Sequence, residues 1–219
     1  MSQVSQLLSL EKNNKVIIHT IIENIVRMLT NRNLLDKSNL DKNIEKITLM
    51  DPEDQIYKIE LDEQYLYYPK NDDTKYLYVK LLMQKITGIS KSSNIIDFLR
   101  KYEKNPKIIV ATGITNSAET TIRSQYPYTE VFLDTQLMFD LVSNVTIPLH
   151  ILLSEDESKK VLEEYLLKKV QMPKIFTSDP VNKYYNGKIG NMFKIIRNSE
   201  TSGLSVYYRL VVPGNILSI

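Results

Sequence analysis

Residues 192–212, MFKIIRNSETSGLSVYYRLVV, decide how the C-terminal third of the chain is read. Met192 to Arg197 and Leu204 to Val212 are rich in β-branched and aromatic residues, and the polar stretch Asn198 to Gly203 separates them. The pattern predicts two antiparallel strands joined by a hairpin loop. Upstream, Asp179 before Pro180 supplies an N-cap and a first-turn proline for a short helix, which Asn186 and Gly187 close in a left-handed conformation. Further back, Ser154 and Glu157 have the spacing of a capping box, in which each residue satisfies a backbone N–H of the other. It opens a helix expected over 155–168, with Val161, Leu162, Tyr165 and Leu166 at helical spacing. A strand from Val145 to Leu153 comes before it. Residues 144–212 therefore read as a small mixed α+β domain.

The N-terminal part has a different rhythm. Lys15 to Leu29 is an amphipathic helix whose apolar face is Ile18, Ile21, Ile22, Ile25, Val26 and Leu29. Gln55 to Leu61 and Lys75 to Leu82 alternate as strands, with a turn at Pro69 to Thr74. Ser92 or Ser93 then caps a helix carrying Ile95, Ile96, Phe98 and Leu99. Pro106 ends that helix ahead of a buried strand, Lys107 to Ala111, with Gly113 as the following turn. A helix from Ser117 to Gln125, a strand from Thr129 to Leu133 and a helix from Gln136 to Val142 complete the series. Alternation of strands and helices makes residues 1–143 an α/β domain. The junction is expected near Ser143 and Asn144, with no Gly-, Ser- or Pro-rich linker. Residues 213–219 read as a disordered tail bearing apolar Ile216, Leu217 and Ile219.

Composition excludes several function classes. The 219 residues carry 28 basic against 26 acidic side chains, a net charge of +2, so no overall field drives binding to free nucleic acid. With no cysteine, disulfides, thiolate zinc sites and cysteine nucleophiles are all ruled out. No apolar run reaches the length of a membrane-spanning helix, and the N-terminus lacks a secretory pattern, so a soluble intracellular protein without a membrane partner is expected. The abundance of Ile, Asn and Lys fits an AT-rich genome such as that of a protist or a large DNA virus.

Reactive groups are sparse. His19 and His150 are the only histidines, one in a helix and one in a strand, and both read as structural. No phosphate-cradling glycine motif or nucleophile elbow is present. The carboxylates of Asp51 to Asp54, Glu60, Asp62 and Glu63 raise the question of a metal-dependent nuclease, which needs carboxylates and a lysine on adjacent strand positions. No Glu-x-Lys falls on an expected strand, and Glu157-Ser158-Lys159 lies in a helix, so a solvated acidic surface is the better account. Six of the 14 tyrosines lie between Tyr57 and Tyr78 beside Lys58, Lys70, Lys75 and Lys80, but five acids share that stretch, and a packed sheet explains it better than base stacking. Thr112, Thr115, Asn116 and Ser117 precede a helix, where free backbone N–H groups suit either a phosphate or an ordinary N-cap. Arg197, Glu200 and Arg209 lie on or beside the hairpin, where opposite charges pair across strands.

From about Val145 to Val212 the ordered motifs are Pro148 and His150, Gln171 and Pro173, Asp179-Pro180, Lys194 to Gly203, and Tyr208-Arg209. These closely resemble the shared fifth subunit of the eukaryotic nuclear RNA polymerases, whose C-terminal domain corresponds to a small separate subunit of the archaeal enzyme. The family usually has glycine where Asn186 stands and basic residues where Leu149 and Ile189 stand. The N-terminal half is less similar, its best match being Lys107 to Ala118, where the family has Thr-Pro-Ser-Ala at Thr115 to Ala118. The resemblance implies an accessory subunit with no catalytic residue, cofactor or metal of its own. By this resemblance the N-terminal half is an α/β jaw domain, with an endonuclease-like layered fold, beside downstream duplex DNA, and Thr112, Thr115, Asn116 and Ser117 face the DNA. The C-terminal assembly domain docks on the largest polymerase subunit, through residues among Pro148, His150, Gln171, Pro173, Arg197, Ser199, Glu200, Thr201, Tyr208 and Arg209. It also implies other polymerase subunits as partners, in the nucleus of a cell or in the cytoplasmic factory or virion of a virus. A stand-alone nuclease-like enzyme and a free DNA-binding protein are the competing classes.

Overall fold

The computed structural model describes residues 14–37, 40–63, 75–88, 94–142, 144, 146–199 and 203–214. The chain divides into two compact units, Met1–Phe139 and Asp140–Ile219. The expected turn at Pro69 to Thr74, the caps Ser92 and Ser93, and the residues Val145, Glu200 and Thr201 lie outside the described residues, as does 215–219 of the tail.

In the first unit, helices α1 (Asn14–Asn31) and α2 (Leu40–Glu45) precede strands β1 (Ile47–Asp51), β2 (Ile56–Glu60) and β3 (Tyr76–Ile86). Helix α3 (Asn94–Lys101), strand β4 (Lys107–Ile114), helix α4 (Asn116–Gln125), strand β5 (Thr129–Leu133) and the single-turn helix α5 (Asp134–Leu137) follow. The strands form one sheet in sequence order, β1-β2-β3-β4-β5. β1, β2 and β3 pair antiparallel, and β3, β4 and β5 pair parallel. The change of sense comes where the connections become helical, because parallel neighbours need a crossover and antiparallel ones need only a turn.

At β4 both sheet faces are buried, which explains why its first half reads as an unbroken apolar run. Ile109 and Ala111 face α3 and α4, packing with Ile95, Phe98, Leu99, Ala118 and Ile122. Ile108 and Val110 point the other way and are also buried. Helix α1 lies on that second face. Arg32, just after it, reaches Glu130 of β5, which is level with Ile108, in a two-pronged ion pair of 2.9 and 2.8 Å. The α1 stripe Ile21, Ile22, Ile25, Val26, Met28 and Leu29 is buried as its spacing demands.

Two lysines are buried in this core. Lys80 and Lys107 each expose only 1% of their surface. Both stand on the α3 side of the sheet, one near each end of that helix. Lys80 Nζ donates to the Asn94 carbonyl at 3.2 Å, and Lys107 Nζ donates to the carbonyls of Tyr102, Glu103 and Asn105 at 2.9, 3.2 and 3.2 Å. Lys107 thus caps the turn that follows α3, sharing the Tyr102 carbonyl with the Asn105 N–H at 3.1 Å. Burial pulls its ammonium down to about 8, with nearby Glu103 opposing the shift.

The second unit carries β6 (Leu149–Leu152), α6 (Glu155–Glu164), a 3-10 turn at Lys169–Gln171, β7 (Lys174–Phe176), α7 (Pro180–Tyr185), β8 (Met192–Ser199) and β9 (Gly203–Val212). The sheet order is β6-β8-β9-β7, with β7 parallel to β9 and the other pairs antiparallel. Val161 of α6 packs on Met192 and Leu210 at one face, while Tyr185 of α7 packs on the cluster of Ile175, Phe193, Ile195 and Val211 at the other.

Several expected elements are corrected. Gly113 lies within β4, not in a turn after it, and pairs with Lys85. A Cβ at Gly113 would meet the Lys85 side chain, with Cγ at 3.2 Å. The helix expected over Gln136 to Val142 is the shorter α5, displaced upstream. Gln136 Oε1 accepts the Leu133 N–H at 3.1 Å, which fixes the start, and Asp140 Oδ1 takes the Val142 N–H at 3.2 Å, which competes with helix continuation. The strand expected from Val145 begins at Leu149, because Asn144 Oδ1 accepts from the Thr146 N–H in a turn and Pro148 has no N–H to give. The helix expected over 155–168 stops at Glu164: Leu166 enters the left-handed region at φ 53° and is 90% exposed. Strands β1 and β7 and helix α2, too short for periodicity to declare, were not anticipated.

Candidate functional site

The alternation of β8 and β9 selects one sheet face in the second unit. Register places Phe193 opposite Arg209, Ile195 opposite Tyr207, and Arg197 opposite Ser205, with His150 of β6 opposite Ile195. Directly opposed residues share a face, so His150, Arg197, Tyr207 and Arg209 all project to the side that α7 covers only in part. There a groove of about 440 Å³ opens, its apolar wall built from Pro148, Pro173, Ile175, Val181 and Ile195. Arg197, Arg209, His150 and Asp179 contribute its polar groups.

Each polar group has a local reason for its position. Arg197 donates to the Tyr207 hydroxyl at 2.6 Å and lies 4.1 Å from that ring centroid, a cation–π stack. Arg209 is two residues along β9 from Tyr207 and so points the same way. His150 Nδ1 lies 2.7 Å from the Pro148 carbonyl, and its ring meets Phe193 edge-on. Asp179 is committed to α7, accepting the Val181 N–H at 2.8 Å as N-cap, with Pro180 following and Asn186 closing the helix at φ 53°. Among the described residues neither Arg197 nor Arg209 is in an ion pair. Glu200, the opposite charge expected to pair with them, lies outside the described residues; the partner seen for Arg197 is aromatic.

Six of the ten residues expected at a docking surface line this groove: Pro148, His150, Pro173, Arg197, Tyr208 and Arg209. Tyr208 does so only at the edge of its reach, since its ring lies on the opposite face against Tyr165 and the α6 cluster. Burial there raises the Tyr208 phenol above its ordinary range, with Tyr165 and Glu164 adding to the shift. Gln171 is outside the groove, its Oε1 accepting the Lys168 N–H at 2.9 Å, and Ser199 stands at the far end of β8. Tyr207, Asp179 and Val181 were not anticipated at the site. Strict alternation from Arg209 would have found Tyr207; the other two come from α7 and are joined to the strands only by the fold.

The residues expected beside DNA gather at the end of β4. Thr112 is exposed, and Asn116 and Ser117 are exposed in the first turn of α4. Thr115 caps that helix: its Oγ1 accepts from the Ala118 N–H at 3.4 Å and donates to the Thr87 carbonyl at 3.0 Å. Of the acids weighed as nuclease ligands, Asp51, Asp54, Glu60 and Asp62 have separate partners, Asp54 lying 3.5 Å from Lys80 Nζ. Asp62 contacts Lys46 Nζ at 2.6 Å and the Asp36 N–H at 3.0 Å, Glu60 pairs with Lys75, and Asp51 caps the N–H groups of Glu53 and Asp54. Lys46 holds the Asp62 carboxyl below its ordinary value, and Lys75 does the same for Glu60. His19 is exposed on α1.

A family model described as the RNA polymerase Rpb5 C-terminal domain matches residues 139–211, which is nearly the whole second unit. The DNA-directed RNA polymerase subunit 5 of Acanthamoeba polyphaga mimivirus is 34% identical over 212 residues, covering 97% of this chain and 100% of that protein. The chain belongs to the Rpb5 family. Within that family, the RPABC1 subunit of polymerases I, II and III from Caenorhabditis elegans is 31% identical over 153 residues, covering 69% of this chain and 67% of the nematode protein. The Dictyostelium discoideum counterpart is 32% identical over 148 residues, covering 65% and 75%. The Rpb5 likeness noted in the C-terminal motifs therefore extends, toward the viral relative, through the N-terminal α/β unit as well.

Proposed function

We propose that this protein is a non-catalytic subunit of a multisubunit DNA-directed RNA polymerase whose active site lies on other subunits. Its C-terminal unit docks on the largest subunit, and the N-terminal unit serves as a jaw that borders downstream duplex DNA. The observation that carries this reading is the likeness to a viral polymerase subunit 5 along 97% of the chain. The groove around Arg197, Tyr207 and Arg209 supports the docking assignment, because it is an open, partly apolar surface with charged groups not spent on internal pairs. The cap at Thr115, with Thr112, Asn116 and Ser117 exposed around it, is the candidate for sequence-independent phosphate contact.

Affinity-tagged protein expressed in its native setting, a virus factory or a nucleus, tests the assignment by mass spectrometry of what co-purifies. The largest polymerase subunits are expected in stoichiometric yield. Their absence, or magnesium-dependent cleavage of labelled duplex by the purified chain alone, overturns it.

A further inference from the structure

We infer that the groove on the C-terminal unit accepts an extended, acidic segment of the partner polymerase subunit, with Arg197 and Arg209 as its two carboxylate receptors. This rests on the docking role proposed above and specifies the chemistry of the partner. The two guanidinium groups stand on one sheet face with Tyr207 between them: Arg197 stacks on that ring at 4.1 Å, and Arg209 is the next same-face residue on β9. An extended peptide repeats its side-chain direction every second residue, about 6.6 Å apart. Arg197 is level with Ser205, four residues from Arg209 along the ladder, roughly 13 Å, so carboxylates four positions apart on such a segment have the spacing of the two arginines, and a planar guanidinium takes a carboxylate through two parallel hydrogen bonds.

The walls of the groove favour a peptide over nucleic acid. Pro148, Pro173, Ile175, Val181 and Ile195 offer apolar contact to the side chains between the acids, and a volume of about 440 Å³ holds a few side chains, not a duplex. Asp179, fixed at the mouth as the cap of α7, opposes a continuous phosphate backbone. A peptide with spaced carboxylates can pass it with an uncharged residue.

The test uses the full-length tagged protein in its native polymerase. Thr146→p-benzoylphenylalanine places a photo-crosslinker in the groove lining. The expected product joins it to a polymerase-subunit peptide with acidic residues four positions apart. In parallel, the double variant Arg197→Glu, Arg209→Glu should lower recovery of the largest subunit about tenfold or more, the scale on which reversed charges repel at an interface. Lys159→Glu on α6 should leave recovery unchanged, and circular dichroism should show all variants folded. If the double variant recovers polymerase as well as the native protein, or if the crosslink falls on nucleic acid or on a peptide without acids, the acidic-segment inference is wrong while the subunit assignment stands. Failure of the native protein to bring down polymerase removes both.

Discussion

Two arginine sites in this molecule make opposite use of the same side chain. Arg32 in the N-terminal unit is 4% exposed and gives both arms of its guanidinium to Glu130. Arg197 and Arg209 in the C-terminal unit are exposed and, among the described residues, meet no carboxylate. A buried guanidinium must be matched within the fold, since unpaired it would carry the full desolvation penalty. An exposed one is under no such demand and is available to a partner. The difference separates charge matched within the fold from charge left open to a partner.

The comparison is open to attack in four places. The largest effect is expected at Glu130→Ala, which removes the carboxylate that takes both arms of the Arg32 guanidinium and should cost about 3–5 kcal/mol of unfolding free energy in a denaturant titration. A loss below about 1 kcal/mol would put that pair on the same footing as a surface bridge and break the contrast. Next, Lys107→Met should remove the cap on three carbonyls and cost about 1–3 kcal/mol. The same variant carries a pH signature. The Lys107 ammonium has a folded value of about 8, against about 10.4 when unfolded. Between those values the unfolded chain holds more protons, so the native protein gains stability as pH rises from 8 to 10. The gain should be absent from Lys107→Met. Taking the difference between the two proteins isolates it from Tyr185 and Tyr208, whose phenols burial pushes up.

Asp179→Ala deletes the N-cap of α7 and should lower stability by about 1 kcal/mol, read from the same titrations. The smallest stability effect is expected for Arg197→Ala and Arg209→Ala, each within about 0.5 kcal/mol of the native protein. A large loss at either position would make these arginines structural and erase the distinction drawn from Arg32.

Much of the architecture was legible in the sequence because local chemistry and fold agree there. Asp179-Pro180 and Asn186 act as caps, Ser154 and Glu157 form their reciprocal box, and β5 spans Thr129–Leu133 as read. Boundaries failed where a side chain competes for backbone hydrogen bonds, as Asp140 and Asn144 do, or where apolar spacing continues without burial, as at Tyr165 and Leu166. Lys80 and Lys107 were invisible as core residues, since lysine in a strand ordinarily marks a solvated face and the acceptors that hold them, around α3 and at Asp54, are brought in by the fold. At the groove, family likeness named six of the lining residues. Among those it missed, Asp179 and Val181 belong to a helix that sequence order alone does not bring to the β8–β9 face.

The stack of Arg197 on Tyr207 bears on how tightly the groove can hold a ligand. A free arginine surrenders rotamer freedom when it is captured, at about 0.5–1.5 kcal/mol for each long side chain immobilised. Tyr207 has already restricted Arg197 through its hydroxyl and its ring, so that entropy is lost on folding and not again on binding. Arg209 has no comparable clamp among the described residues. The two arginines therefore start from unequal states, one held by an aromatic clamp and one not, and in the proposed docking the held one would set the register in which a partner strand first engages.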